Sequence, residues 1–152
     1  MYATKVLSVF ELMGCLAKRS GLFGQYQKGL ACLRYKEYGR ATTIWLKLAE
    51  TGDARAQFDL GVMFQAGLGM EPEYEESLRW LRKAADQGYG RAENYLGAMY
   101  RTGRGVERDL EKALRYFKRA MEHGHKQGRE NYNELLANGF PPDRTEEIGY
   151  DE

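Results

Sequence analysis

Between Ala56 and Gly124 one pattern is written twice, 36 residues apart, and no other feature of the chain constrains its fold as strongly. Leu60-Gly61 returns as Leu96-Gly97, Phe64 as Tyr100, and Gly67-x-Gly69 as Gly103-x-Gly105. Leu78-x-Trp80 returns as Leu114-x-Tyr116, Lys83-Ala84 as Arg119-Ala120, and Gly88 as Gly124. A period of this length, held without a slip, is the mark of stacked units that each complete their core against a neighbour.

A shorter version of the unit precedes these two. Tyr26, Leu30 and Leu33 share one helical face, and Ile44, Trp45 and Leu48 share another. Lys36 to Arg40 make the turn, and Gly52 closes the second helix where a left-handed residue is wanted. From Gly29 to Ala41 is 12 positions, against 16 from Gly61 to Ser77 and from Gly97 to Ala113, so units two and three carry a longer turn. The expected reason for Gly29, Gly61 and Gly97 is close helix approach, with a small residue on the partner helix facing each glycine.

The two ends differ from the middle. Val6, Val9, Phe10, Met13 and Ala17 recur at helical spacing and predict an N-terminal capping helix over residues 1–24, with a break at Ser20-Gly21 and Gly24. A second reading of the same stretch is a lipoprotein signal. Leu12-Met13-Gly14-Cys15 is similar to a lipobox, although Glu11 interrupts the apolar core such a signal needs. At the other end, residues 126–139 predict a single capping helix striped by Tyr132, Leu135 and Leu136, stopped by Phe140-Pro141-Pro142. Residues 140–152 then form an acidic tail, expected to be flexible.

The motif Ala56-x-x-x-Leu60-Gly61-x-x-Phe64-x-x-Gly67-x-Gly69, followed by Ser77, Trp80-Leu81-x-Lys83-Ala84-Ala85 and Gly88, resembles a Sel-1-like repeat. So does its second copy, from Ala92 through Leu96-Gly97, Tyr100, Gly103-x-Gly105-Val106 and Lys112-Ala113 to Gly124. The departures are Met70 in place of a valine, and Ser77 at a usual alanine. Residues 25–53 are similar to the tetratricopeptide-like unit that often precedes such repeats; 54–89 and 90–125 are the two full copies. The resemblance implies an all-α fold, a right-handed α-α superhelix of antiparallel helix pairs. In it the first helix of each pair lines a concave surface. It also implies an adaptor or scaffold that holds other proteins, frequently in bacterial signalling and envelope assembly.

A hydrolytic enzyme is a further alternative, but catalytic chemistry finds little support. None of Ser8, Ser20 and Ser77 sits in a nucleophile motif. His123-Gly124-His125 offers two imidazoles, but zinc wants at least three protein ligands and no cysteine is near. The plainer reading places His123 in a last helical turn, where positive charge suits the dipole. Neither Gly-x-Gly continues into a phosphate-binding motif, so both are read as turn glycines. Trp45, Leu81 and Phe117 fall at equivalent positions and read as core. Cys15 and Cys32, in apolar helical surroundings, read as small buried side chains. The formal net charge of +1 gives no drive towards nucleic acid, and no apolar run reaches the ~20 residues of a membrane span.

What remains is surface. If first helices line the groove, the inward positions are Tyr26, Leu30 and Leu33, then Phe58, Val62 and Gln65, then Asn94, Ala98 and Arg101, with Arg55 and Arg91 near the helix starts. The expectation is a non-enzymatic protein-binding module without cofactor or metal. It would contact a protein or peptide through Tyr26, Leu30, Phe58, Val62, Gln65, Arg91, Asn94 and Arg101. Tyr26, Phe58 and Gln65 act as anchors, and Asn94 and Arg101 as polar readers. Arg104, Arg108, Lys112, Arg115, Lys118 and Arg119 are read as a solvated outer face, and the acidic tail, opposite in charge to this basic third unit, is read as shielding part of the groove in the absence of a partner. A cytoplasmic location follows, or a periplasmic or lipid-anchored assembly role if Leu12–Cys15 works as a lipobox.

Overall fold

The computed structural model describes residues 9–140, with side chains from Gly21 onward. Seven helices follow one another: α1 (Val9–Arg34), α2 (Tyr38–Glu50), α3 (Ala54–Ala66), α4 (Tyr74–Asp86), α5 (Gly90–Thr102), α6 (Leu110–Glu122) and α7 (Lys126–Ala137). Among the described residues there is no strand. Each helix packs on the next, so α1/α2, α3/α4 and α5/α6 form antiparallel pairs in a solenoid and α7 stands as a single helix at its end.

The turns explain this register. In units two and three Gly67 and Gly103 end the first helix at φ 63° and 71°, in the left-handed region that glycine enters without penalty. The second glycine of each turn has a further reason. A Cβ on Gly69 would stand 2.7 Å from Tyr38 Cβ, and one on Gly105 would stand 2.4 Å from the Tyr74 ring. Tyr38 and Tyr74 open α2 and α4, so each glycine seats the turn against an aromatic of the preceding unit. The shorter α1–α2 turn has no glycine there and places Lys36 at φ 60° instead.

Three apolar clusters fill the solenoid. Trp45, Leu48, Leu60, Met63 and Trp80 anchor the first, Phe58, Leu81, Leu96 and Met99 the second, and Tyr100, Leu114, Phe117 and Leu135 the third. Trp45, Leu81 and Phe117 are fully buried, as their equivalent positions predicted. The nearest neighbours of the glycines on the facing helices are these large residues and not the small ones expected, although Gly61 also meets the backbone of Ser77. A Cβ at Gly29 would stand 2.2 Å from Trp45, at Gly61 2.7 Å from Leu81, and at Gly97 2.6 Å from Phe117. Each glycine is a slot for a large, fully buried side chain of its partner helix.

Two further expectations meet the structure differently. The break at Ser20-Gly21 and Gly24 is absent, because α1 continues through it to Arg34. Gly21 and Gly24 do not adopt positive φ, and a helix tolerates each at a cost of about 1 kcal/mol. Cys32 is buried with a free thiol, while the Leu12–Cys15 side chains and the acidic tail lie outside the described residues. Phe140, after the end of α7, packs against the third cluster.

Asp53 caps α3. Its carboxylate accepts from the backbone N–H groups of Arg55 and Ala56, at 3.0 and 3.2 Å, and pairs with the Arg55 guanidinium at 2.7 Å. Burial pushes its carboxyl up, but the Arg55 side chain and the two N–H groups outweigh that and hold it below the ordinary value. A depressed carboxylate contributes stability that is present above the unfolded-state range and is lost as pH falls through the lowered value. Asp53→Ala is therefore expected to cost about 1 kcal/mol at neutral pH. The gap between wild type and variant in thermal melts should narrow in strong acid; an equal gap at both ends of the pH range would refute this account.

Candidate functional site

The first helices α1, α3, α5 and α7 touch one another directly through side chains. Tyr26 Oη donates to Asp59 Oδ2 at 2.5 Å, joining α1 to α3. The Phe58 ring meets the edge of Tyr95 at 5.7 Å, and Tyr95 Oη donates to Gln65 Oε1, joining α3 to α5. Asn131 Nδ2 donates to Asn94 Oδ1 at 2.7 Å, and Arg101 pairs with Glu134 at 3.1 Å, joining α5 to α7. Tyr26, Phe58, Gln65, Asn94 and Arg101, among the inward positions expected from the sequence, thus join successive first helices.

Several of those side chains are spent within the fold. Tyr26, Phe58 and Gln65 are 8%, 6% and 2% exposed, too little to serve as anchors for a partner. Tyr26 stacks on Trp45 at 6.0 Å, and Phe58 is closed in by Tyr89 and Tyr95. They hold successive units together because neighbouring first helices need apolar and hydrogen-bonded contacts as much as paired helices do. Leu30, Val62, Asn94, Ala98 and Arg101 are half-buried, and Arg91 is exposed. The accessible part of the face is therefore made of the apolar Leu30, Val62 and Ala98 with Asn94 and two arginines.

Aromatic rings carry those cations. The Arg91 guanidinium lies 4.8 Å over Phe58 and that of Arg101 lies 5.6 Å over Phe117. Arg55 lies 4.7 Å over Tyr26 and 5.9 Å over Phe23, itself 53% exposed. Burial pushes the Tyr26 phenol up, and its hydrogen bond to Asp59 pushes it further. Burial also raises the Asp59 carboxyl, against the opposing pull of the Tyr26 hydroxyl and of Arg91.

A polar cluster that the sequence reading missed sits where units two and three meet. Glu93 on α5 is fully buried. Its Oε2 stands 2.7 Å from His123 Nδ1, and its Oε1 stands 3.0 Å from Arg119 Nε as an ion pair without an aligned hydrogen bond. Arg119 Nη2 also donates to the Ala85 carbonyl at 2.8 Å. Arg119, expected on a solvated outer face, points instead to this buried carboxylate. Thirty-six residues earlier the same places hold Gln57, Lys83 and Gln87, and there Gln87 Nε2 donates to Gln57 Oε1 at 2.7 Å. The paired change from two amides to an acid and an imidazole was the available signal.

His123 is the C-cap of α6 rather than part of its last turn, and His125 caps α7 by accepting from the Gly128 N–H at 3.1 Å. Among the described residues no group of three or more His, Cys, Asp or Glu is placed to hold a metal ion. No helix among them is long and apolar enough to cross a membrane.

Comparison with known proteins agrees with this geometry. Residues 54–89 and 90–125 each match the family model described as Sel1 repeat. The chain is similar to a Sel1 repeat protein from Oxalobacter formigenes, with 27% identity and a TM-score of 0.70 over 74% of this chain and 46% of that one. It is also similar to c5321, a protective antigen present in uropathogenic Escherichia coli strains displaying an SLR fold, with 31% identity and a TM-score of 0.72. That match covers 82% of this chain and 27% of the other, so the chain spans under half the length of either protein. No curated protein matches it.

Proposed function

Since the chain carries two Sel1 repeats, a fold that commonly serves protein interaction and is generally non-catalytic, we propose that it is a binding module that holds a peptide or partner loop on its first-helix face. The observation that supports this reading is the continuity of that face from α1 to α7, tied by side-chain contacts at every junction. Leu30, Val62, Asn94, Ala98, Arg91 and Arg101 are its accessible contact points. Tyr26, Phe58 and Gln65 shape the floor from beneath. A curved face of this kind suits an extended ligand, because the rigid helices are ordered before binding and little entropy is lost on their side.

The test compares two sets of variants in capture of a partner by cross-linking in cells. Val62→Glu and Ala98→Glu place charge on the first-helix face, and Lys47→Glu and Glu122→Lys change exposed positions of α2 and α6. Circular dichroism melts confirm that each variant folds. Capture should fall about tenfold or more for the first set and stay within about twofold for the second. Loss confined to the second set would move the binding surface to the other side of the solenoid.

A further inference from the structure

Arg55 and Arg91 occupy the same place in successive units, 36 residues apart, but they are not in the same state. Both guanidinium groups lie over an aromatic ring. Arg55 is neutralised by Asp53, through Nη2 at 2.7 Å and Nε at 3.2 Å. The residue that would do this for Arg91 is Tyr89, which makes no side-chain cap and packs its ring on Phe58 instead. Among the described residues Arg91 has neither a hydrogen bond nor an ion pair, and it is exposed. The nearby Asp59 carboxylate takes the Tyr26 hydroxyl.

We propose that Arg91 is a carboxylate-reading site, which accepts an aspartate or glutamate side chain of a bound peptide. This rests on the first-helix face being the binding surface. A guanidinium fork matches the two oxygens of a carboxylate. Its cation–π contact with Phe58, which is itself held by Tyr89 and Tyr95, restrains that fork before the ligand arrives. Unit three gives up the capping carboxylate that unit two keeps, and the vacancy so left is the one an external carboxylate fills. A phosphate dianion fits less well, because the matched cation, Arg55, is already paired. Phe23, half-exposed next to Arg55, offers an apolar contact to a residue close to the acid.

The experiment selects short random peptides displayed on phage against the full chain. The best binder is then synthesised with glutamate, glutamine or phosphoserine at its most acidic position. The expected result is a fixed acidic position in the selected set, and about tenfold or greater weakening on Glu→Gln. That difference should vanish in Arg91→Gln, and Arg91→Lys should recover only part of it, because the charge returns without the fork. Peptides that bind in a manner sensitive to Val62→Glu but indifferent to Arg91→Gln would overturn this site and leave the face intact. Binding insensitive to Val62→Glu would remove the face itself. Preference for phosphoserine, or failure to select any acidic peptide, also counts against the proposal. So does selection that succeeds only after removal of residues 141–152, which would make the chain's own acidic tail the occupant.

Discussion

Replacing Arg119 by alanine is expected to destabilise the chain by about 3 kcal/mol, a large share of the ~5–15 kcal/mol that holds a domain of this size together. The reason is Glu93. Its carboxylate is fully buried, and it is tolerated there only because Arg119 and His123 converge on it. Taking away the guanidinium leaves a buried charge facing one imidazole, and also frees the Ala85 carbonyl. The lower end of the usual 3–5 kcal/mol range applies, because Arg119 is one-third exposed and water enters where it stood. Removing the other partner should cost less. Glu93→Gln leaves Arg119 and His123, whose side chains already reach solvent, at 33% and 43% exposure. The double variant Glu93→Gln/His123→Gln should cost less again, because it rebuilds the amide pair that Gln57 and Gln87 form one unit earlier. Urea unfolding of the three proteins orders these costs. Equal losses for Arg119→Ala and Glu93→Gln would show that the carboxylate is not what the arginine serves.

The same cluster explains which parts of the molecule were legible in the sequence. A 36-residue period reports whatever must recur inside each unit. Trp45, Leu81 and Phe117 recur because each pair needs one large residue at its centre, and Gly67 and Gly103 recur because each longer turn needs a left-handed residue. Contacts between units obey a looser rule. Tyr26–Asp59, Gln65–Tyr95, Asn94–Asn131 and Arg101–Glu134 join positions 30 to 37 apart, and their chemistry changes at every junction. No periodicity marks them, so side chains that tie units together read from sequence as a ligand-facing set. Charge misleads in the same direction. Glu93 and Arg119 look solvated on a helical wheel, and only their partners in three dimensions make burial affordable.

The sharpest test of the packing lies at Gly97. A methyl group there would stand 2.6 Å from the Phe117 ring, well inside any contact that real side chains make. Gly97→Ala is expected to cost about 1–3 kcal/mol from overpacking, despite alanine's better helix propensity, and Phe117→Ala about 3–5 kcal/mol from the cavity it leaves. Phe117 is fully buried in the third cluster beside Tyr100, Leu114 and Leu135, so neighbouring helices cannot collapse far into the space. The decisive quantity is the double variant. If the glycine exists to admit the ring, Gly97→Ala should be nearly harmless once Phe117 is alanine, because the new methyl enters the cavity, and the two costs should fall short of adding by about 1–2 kcal/mol. If the glycine instead serves backbone conformation or an unrelated contact, the costs will add within about 0.5 kcal/mol. Gly61 with Leu81 offers the same cycle one unit earlier, where the Ser77 carbonyl also stands 3.1 Å from the added carbon and does not move when Leu81 is truncated. The coupling there should be weaker than at Gly97, and a coupling as large would mean that the slot, and not the backbone behind it, governs both units.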